Sequence, residues 1–156
     1  MIKINIVAVG KVKEKYWQDA IAEYTKRLSR FVQIKIIEIN EAKELKGEKN
    51  IANMLEKEGL DIIKAVTGLV VALDIQGVPY TSEKLYSLLD SSAATGNSEI
   101  SFIIGGSCGL SPKVKQLATH NISFGGMTFP HQMMRVILLE QIYRAITIKE
   151  NISYHK

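Results

Sequence analysis

The sequence predicts an α/β fold: a mainly parallel sheet with helices on both faces, built as one domain over residues 1–156. Two observations carry the prediction. Apolar runs at 2–9, 69–75 and 100–104 are nearly continuous, as in strands buried on both faces of a parallel sheet. Segments of helical period lie between such runs, so strand and helix alternate. No repeat, linker or low-complexity tract divides the 156 residues, a length that buries a substantial core.

In order, residues 2–9 form a strand ending at Gly10, and a helix over 15–30 carries Tyr16, Trp17, Ala20, Ile21, Tyr24 and Leu28 at helical spacing. Ile34, Ile36, Ile37 and Ile39 mark the second strand. Residues 41–64 are charged and helix-prone, with interruptions expected at Gly47 and Gly59. A third strand over 69–75 leads into a turn at Gln76-Gly77-Val78-Pro79. Ser82 starts a helix that fades into the polar run 90–98, and residues 100–104 form the fourth strand. Ser111 caps a helix with Pro112 in its first turn. Residues 122–124 are a brief fifth strand, and Pro130, at the first helical position, opens a helix to about Thr147.

Hydrophobic residues at 46% and charged residues at 23% argue for a globular chain and against disorder. No apolar run approaches the roughly 20 residues of a membrane helix, and the alternating N-terminus does not read as a signal peptide. A single cysteine cannot form an internal disulfide, so the cytoplasm is the expected compartment. The net charge of +4 is concentrated in one segment. Residues 11–35 hold Lys11, Lys13, Lys15, Lys26, Arg27, Arg30 and Lys35 against Glu14, Asp19 and Glu23. Such a patch suits a polyanion such as RNA. A solvated helix face with pairs such as Glu23 and Arg27 explains the charges equally well.

In a parallel sheet, ligands sit beyond the carboxyl ends of strands, which selects the loops after strands three, four and five. Gly105-Gly106-Ser107-Cys108-Gly109 matches neither the dinucleotide nor the P-loop glycine pattern. Its glycines allow close backbone approach to a ligand, beyond what a tight turn requires. Cys108 has no histidine placed to activate it and reads as structural. His120, His131 and His155 lack metal-ligand spacing, so no metal is expected. The run from Phe124 through Gly125, Gly126, Met127, Thr128 and Phe129 to Pro130 reads either as a plain strand-to-helix loop or as the wall of an apolar pocket. The last helix carries Met133, Met134, Val136, Ile137, Leu138, Leu139, Ile142, Tyr143 and Ile146, apolar on more than one face. Part of that surface is expected to meet a second copy in a two-fold homodimer. Arg144 lies four residues after Glu140, a simple pair on one face. The end, Tyr154-His155-Lys156, reads either as a frayed terminus or as polar groups reaching a partner's site.

Taken together, Val-Ala-Val-Gly-Lys, Leu-Asp-Ile-Gln-Gly, Phe-Ile-Ile-Gly-Gly-Ser, Met-Thr-Phe-Pro-His-Gln-Met-Met-Arg-Val, Leu-Leu-Glu-Gln-Ile-Tyr-Arg-Ala and the terminal Tyr-His-Lys resemble the ribosomal RNA large subunit methyltransferase H family of the SPOUT class. The resemblance covers essentially the whole chain. It implies an S-adenosyl-L-methionine-dependent enzyme that methylates N3 of a pseudouridine in a 23S rRNA stem-loop, with large-subunit rRNA or the ribosome as partner. It also implies a homodimer and a SPOUT-type α/β knot, a C-terminal trefoil that general fold rules exclude by default.

Position by position, the resemblance places the cofactor at Leu73, Gly105, Gly106, Phe124, Gly125, Gly126, Met127, Thr128, Phe129 and Pro130. Tyr154 and His155 match the terminal motif that helps complete the active site. His155 is the expected base, Tyr154 orients the reacting base, and Arg144 anchors RNA or braces the tail. Gly125-Gly126 stands where the family commonly has serine followed by lysine or alanine. Two rival classes are a catalytically idle ribosome-binding module and a nucleotide-dependent oxidoreductase. The second lacks a dinucleotide fingerprint after the first strand, where Gly10-Lys11-Val12-Lys13 offers one glycine.

Overall fold

The computed structural model describes residues 1–43 and 46–154. Along it run β1 (Ile2–Val9), α1 (Lys15–Leu28), β2 (Val32–Ile39), α2 (Glu48–Ala65), β3 (Leu69–Pro79), α3 (Ser82–Ala94), β4 (Glu99–Ile104), α4 (Pro112–Leu117), β5 (His120–Ser123) and α5 (His131–Lys149). The strands make one five-stranded sheet in the order β2-β1-β4-β3-β5. Every neighbouring pair is parallel, as the apolar runs predict.

Strand alternation sorts the core into two layers. Ile2, Ile4, Ile6 and Ala8 of β1 join one apolar cluster, and Val7 and Val9 join the other. In β4, Ile100, Phe102 and Ile104 face the first layer and Ile103 the second. The first layer is closed by Leu28 of α1, Leu85 and Leu89 of α3, and Leu138, Leu139, Ile142 and Ile146 of α5. Ile62 of α2 and Val114 of α4 close the second. Three helices thus cover one face and two cover the other.

The differences from the sequence expectation have local causes. Gly47 does end the irregular stretch, with φ of +105° just before α2. Gly59 does not interrupt that helix: it is buried within it, and a Cβ there would lie 2.7 Å from Ser111 Oγ. It lets α2 close onto the start of α4. The expected turn at 76–79 is instead a bulge in β3, which pairs with β5 at Leu73 and again at Val78 and Pro79. Gly77 is needed there because a Cβ would meet the Asn121 carbonyl at 2.6 Å. Thr81, not Ser82, caps α3, accepting from the Lys84 N–H, and that helix continues to Ala94 through the polar run. Ser111 caps α4 as expected, accepting from the Val114 N–H at 3.2 Å. Pro130 is the N-cap residue of α5, one position earlier than expected. β5 is shifted to 120–123, leaving Phe124 to the loop that follows.

One buried carboxyl in α2 gives a stability prediction. Glu58 is 5% exposed and accepts only the Ala42 N–H among the bonds of the described residues, at 2.9 Å. Burial pushes its carboxyl above the usual range, the Ala42 bond partly offsets this, and the Glu41 charge adds to the rise. A carboxyl raised in the folded state binds its proton more tightly there, so ionising it at neutral pH costs stability that is absent in acid. Glu58→Gln keeps an acceptor oxygen without the charge. Its melting midpoint is expected to exceed the parent's at pH 7, and the difference to vanish below the ordinary carboxylate range, as read by thermal melts across pH.

Candidate active site

The sheet order makes β4, β3 and β5 neighbours, so the loops at their carboxyl ends converge. With the start of α5 they enclose a cleft of about 800 Å³, within the range of small-molecule sites. Leu73, Gly105, Gly106, Phe124, Gly125, Met127, Thr128, Phe129 and Pro130 all line it. Gly126 lies in the same loop but is not among the lining residues, and a Cβ there would meet nothing within 4 Å.

Each loop is held by its own bonds. After β4, Gly106 and Gly109 pair across the turn, with the Gly109 N–H donating to the Gly106 carbonyl at 3.1 Å. Gly109 sits at φ +82°, a left-handed conformation that favours glycine. A Cβ on Gly105 would meet the Gly109 carbonyl oxygen at 2.6 Å, so the loop closes only over bare backbone. After β5, the Ser123 hydroxyl accepts the Gly125 N–H and donates to the Gly125 carbonyl, both at 3.1 Å. In the β3 bulge, Asp74 accepts the Gln76 N–H at 3.0 Å and pairs with Lys115 of α4 at 3.2 Å. The resulting walls are mainly backbone and hydrocarbon, and Lys115 among them is already neutralised by Asp74.

Asp74, Gln76, Lys115 and His131 line the cleft without having been singled out as ligand contacts. Asp74 and Gln76 follow Leu73 closely, so the loop rule could have included them. Lys115 comes from a different loop-and-helix unit, and its pairing with Asp74 is a tertiary contact with no local signal. Cys108, read as structural, also lines the cleft and is partly exposed. Its Sγ lies 3.9 Å from the Ser107 hydroxyl.

Tyr154 and Arg144 lie away from the cleft. Tyr154 donates its hydroxyl to Glu140 Oε2 at 3.0 Å and packs edge-on against Tyr143 at 4.8 Å between centroids. Arg144 pairs with Glu140 at 2.5 Å, and its guanidinium lies 5.2 Å from the Tyr154 ring centroid. Arg144 therefore stands against Tyr154, and its i,i+4 pair with Glu140 is formed. Burial, then the Glu140 bond and charge, push the Tyr154 hydroxyl above its ordinary value. It stays a neutral donor at physiological pH. Tyr24 is raised in the same way, first by burial and then by Glu140. His155 lies outside the described residues.

Along α5, His131 at the cleft and Arg144 at the tail are 13 positions apart, about 20 Å at 1.5 Å per residue. One protomer does not bring the cleft together with Arg144 and Tyr154. Along the same helix, Met133, Ile137, Glu140, Arg144 and Ile148 form a half-buried stripe at helical spacing.

The seven basic residues of 11–35 are all exposed. Lys15 pairs with Asp19 and Arg27 with Glu23. No ion pair holds Lys11, Lys13, Lys26 or Arg30 among the described residues. Also among the described residues, no helix is long and apolar enough to cross a membrane, and no group of three or more His, Cys, Asp or Glu is placed to hold a metal ion.

Known proteins resemble the whole chain. Proteins named ribosomal RNA large subunit methyltransferase H are 47% identical in Streptococcus thermophilus, 46% in Streptococcus gordonii and 48% in Streptococcus uberis, covering 99% of this chain and 100% of each relative. Among solved structures, a probable methylase family protein from Haemophilus influenzae matches with TM-score 0.52 at 13% identity, over 98% of this chain and 70% of that one. A methyltransferase-like protein from Legionella pneumophila, solved with the bound cofactor SAM, matches with TM-score 0.50 at 10% identity, over 93% of this chain and 66% of that one. At such identities these two speak to the fold alone. The family described as "Predicted SPOUT methyltransferase" matches residues 2–155, and the chain belongs to that family.

Proposed function

We propose that this chain transfers a methyl group from S-adenosyl-L-methionine to N3 of a pseudouridine in a stem-loop of 23S rRNA. The observation that carries the reading is the glycine-built cleft, in a chain nearly half identical over its length to large-subunit rRNA methyltransferases. The residues fit the cofactor. The loop closed over Gly105 and Gly106 presents backbone groups to the cleft, and Leu73, Ile122, Phe124 and Pro130 supply apolar walls for a purine and a thioether chain. Among the described residues, no unpaired lysine or arginine lines the cleft to meet a phosphate.

When bound, the cofactor supplies a methyl group already activated by its sulfonium. The protein's contribution is then mainly positioning and the exclusion of water. The N3 proton must leave the acceptor base, and His155 is the residue proposed to take it. Tyr154, held neutral as a donor, orients the base, and Arg144 fixes Tyr154 through Glu140.

Because α5 separates the cleft from Arg144, which touches Tyr154, by about 20 Å, the reading takes the protein as a homodimer. A two-fold contact along the Met133–Ile137–Glu140 side of α5 runs the two helices antiparallel and sets one protomer's tail beside the other's cleft. The single 1–156 domain, a C-terminal trefoil knot and a cytoplasmic location with the ribosome belong to the same proposal.

Two measurements test it. Calorimetry is expected to show saturable S-adenosyl-L-methionine binding. Large ribosomal subunits from a strain lacking the activity are expected to gain one methyl group on a pseudouridine, read by mass spectrometry. Binding of rRNA without either result would mean an idle ribosome-binding module. The exposed lysines give a separate expectation: Lys11→Gln or Lys13→Gln weakens RNA binding and lowers the salt slope by roughly one for each phosphate that is no longer neutralised.

A further inference from the structure

A second cavity, of about 600 Å³, lies between α1 and the carboxyl end of β2, and none of its lining residues lines the cofactor cleft. Val12, Ile21 and Ile36 give it hydrocarbon walls. Two lining side chains carry buried polar atoms with no hydrogen-bond partner, Thr25 Oγ1 and Arg135 Nε. Arg135 is fully buried, at 0% exposure. Its Nη1 donates to Glu38 at 2.8 Å and its Nη2 to the carbonyls of Gly10, at 2.8 Å, and Val9, at 3.2 Å. Nε is the donor left over, and a buried guanidinium N–H without an acceptor is costly.

The rest of the cavity narrows the choice of ligand. Glu38 Oε2 takes both Arg135 and the Val12 N–H, and its side chain is 40% exposed. A carboxylate and apolar walls disfavour an anion inside. Outside, Lys26 lines the rim, with Lys11 and Lys13 exposed in the loop before α1 and Arg30 exposed just after it. A ligand with phosphates outside and a flat, uncharged ring edged by acceptors and donors inside satisfies both regions. An unstacked nucleotide has that chemistry.

We propose that the cavity between α1 and β2 receives an unpaired base of the RNA substrate, other than the methylated one, with Arg135 and Thr25 meeting its polar edge and Lys26 its phosphate. This rests on the RNA-methylating reading. It adds a base-reading subsite on the protein's basic side, at a distance from the cofactor.

The test is a double-mutant cycle between protein and RNA. Ala22→Phe fills the cavity from α1, where Ala22 is an exposed lining residue, and Thr25→Val removes the unpaired hydroxyl without changing shape. Stem-loop RNAs with each unpaired nucleotide in turn made abasic are titrated against parent and variants. In the parent, one abasic position outside the methylation site is expected to weaken binding about tenfold, within the usual worth of a stacked base. That penalty is expected to disappear in Ala22→Phe and to shrink in Thr25→Val, with cofactor affinity and salt slope unchanged. Equal penalties in parent and variants would overturn the subsite. So would a loss of dimerisation by Ala22→Phe in sedimentation, which would assign the cavity to a second copy. Neither result touches cofactor binding or methyl transfer by the parent, so failure of the subsite is distinct from failure of the proposed activity.

Discussion

Two inactive variants are expected to restore methyl transfer when mixed. A chain lacking Tyr154 to Lys156 keeps its cleft but has no tail, and it should lose on the order of 10²-fold or more in rate while still binding cofactor. A chain with its cleft loop distorted by Gly105→Ala keeps its tail but binds cofactor poorly, and at cofactor concentrations below its weakened affinity it is inactive. If cleft and tail served each other within one protomer, every mixed dimer would be dead. In the antiparallel α5 dimer, each mixed dimer has one intact cleft facing one intact tail. Random exchange makes about half the dimers mixed, each with one of two sites complete, so activity should return to about a quarter of the parent's. Mixing after unfolding and refolding together, assayed on large ribosomal subunits, reads this directly. No recovery, with mixed dimers verified by mass spectrometry, would reject the shared site.

The second large effect is that of Gly105→Ala on cofactor affinity. The added Cβ would lie 2.6 Å from the Gly109 oxygen and 2.8 Å from its carbon, with Leu110 Cδ2 at 3.1 Å. Two of these are backbone atoms in a turn pinned by the Gly106–Gly109 pairing, so no side chain can swing aside to relieve them. Overpacking of about 1–3 kcal/mol is expected, and since the loop relieves it by opening, cofactor affinity should fall roughly 10- to 100-fold by calorimetry. Gly126→Ala is the control. Its Cβ meets nothing within 4 Å, and Gly126 is not at positive φ. Its affinity should match the parent's, although the sequence resemblance places Gly126 in the cofactor site. A large loss at Gly126 and none at Gly105 would reverse this picture of the pocket.

The strands were legible because burial on both faces writes itself into consecutive residues. Ile4 and Val7 of β1 serve opposite layers, and both must be apolar. The cleft was largely legible too, since glycines after a strand mark backbone approach wherever that strand lies in the sheet. Gly59 and Gly77 were misread because glycine signals close approach as readily as it signals a break, and only the neighbouring element decides which. Gly59 faces Ser111, and Gly77 faces Asn121. Long-range polar pairs were invisible for the same reason. Asp74 with Lys115, and Arg135 with Glu38, join residues that no period relates. Arg135, read only as part of a motif, proved to be a fully buried cation tying α5 to the end of β1. Tyr154 carried the opposite difficulty: its chemistry was plain, but its distance from the cleft depended on the direction of α5.

The length of α5 bears on how the activity would be regulated by amount. In the proposed shared-site dimer, the cleft lies at one end of a 19-residue helix and Arg144 and Tyr154 at the other. Catalysis then becomes second order in the protein. Below the dissociation constant of the pair, halving the number of copies removes about three quarters of the working sites. In that dimer a newly synthesised chain would stay silent until it met another, and dilution alone would turn the activity off.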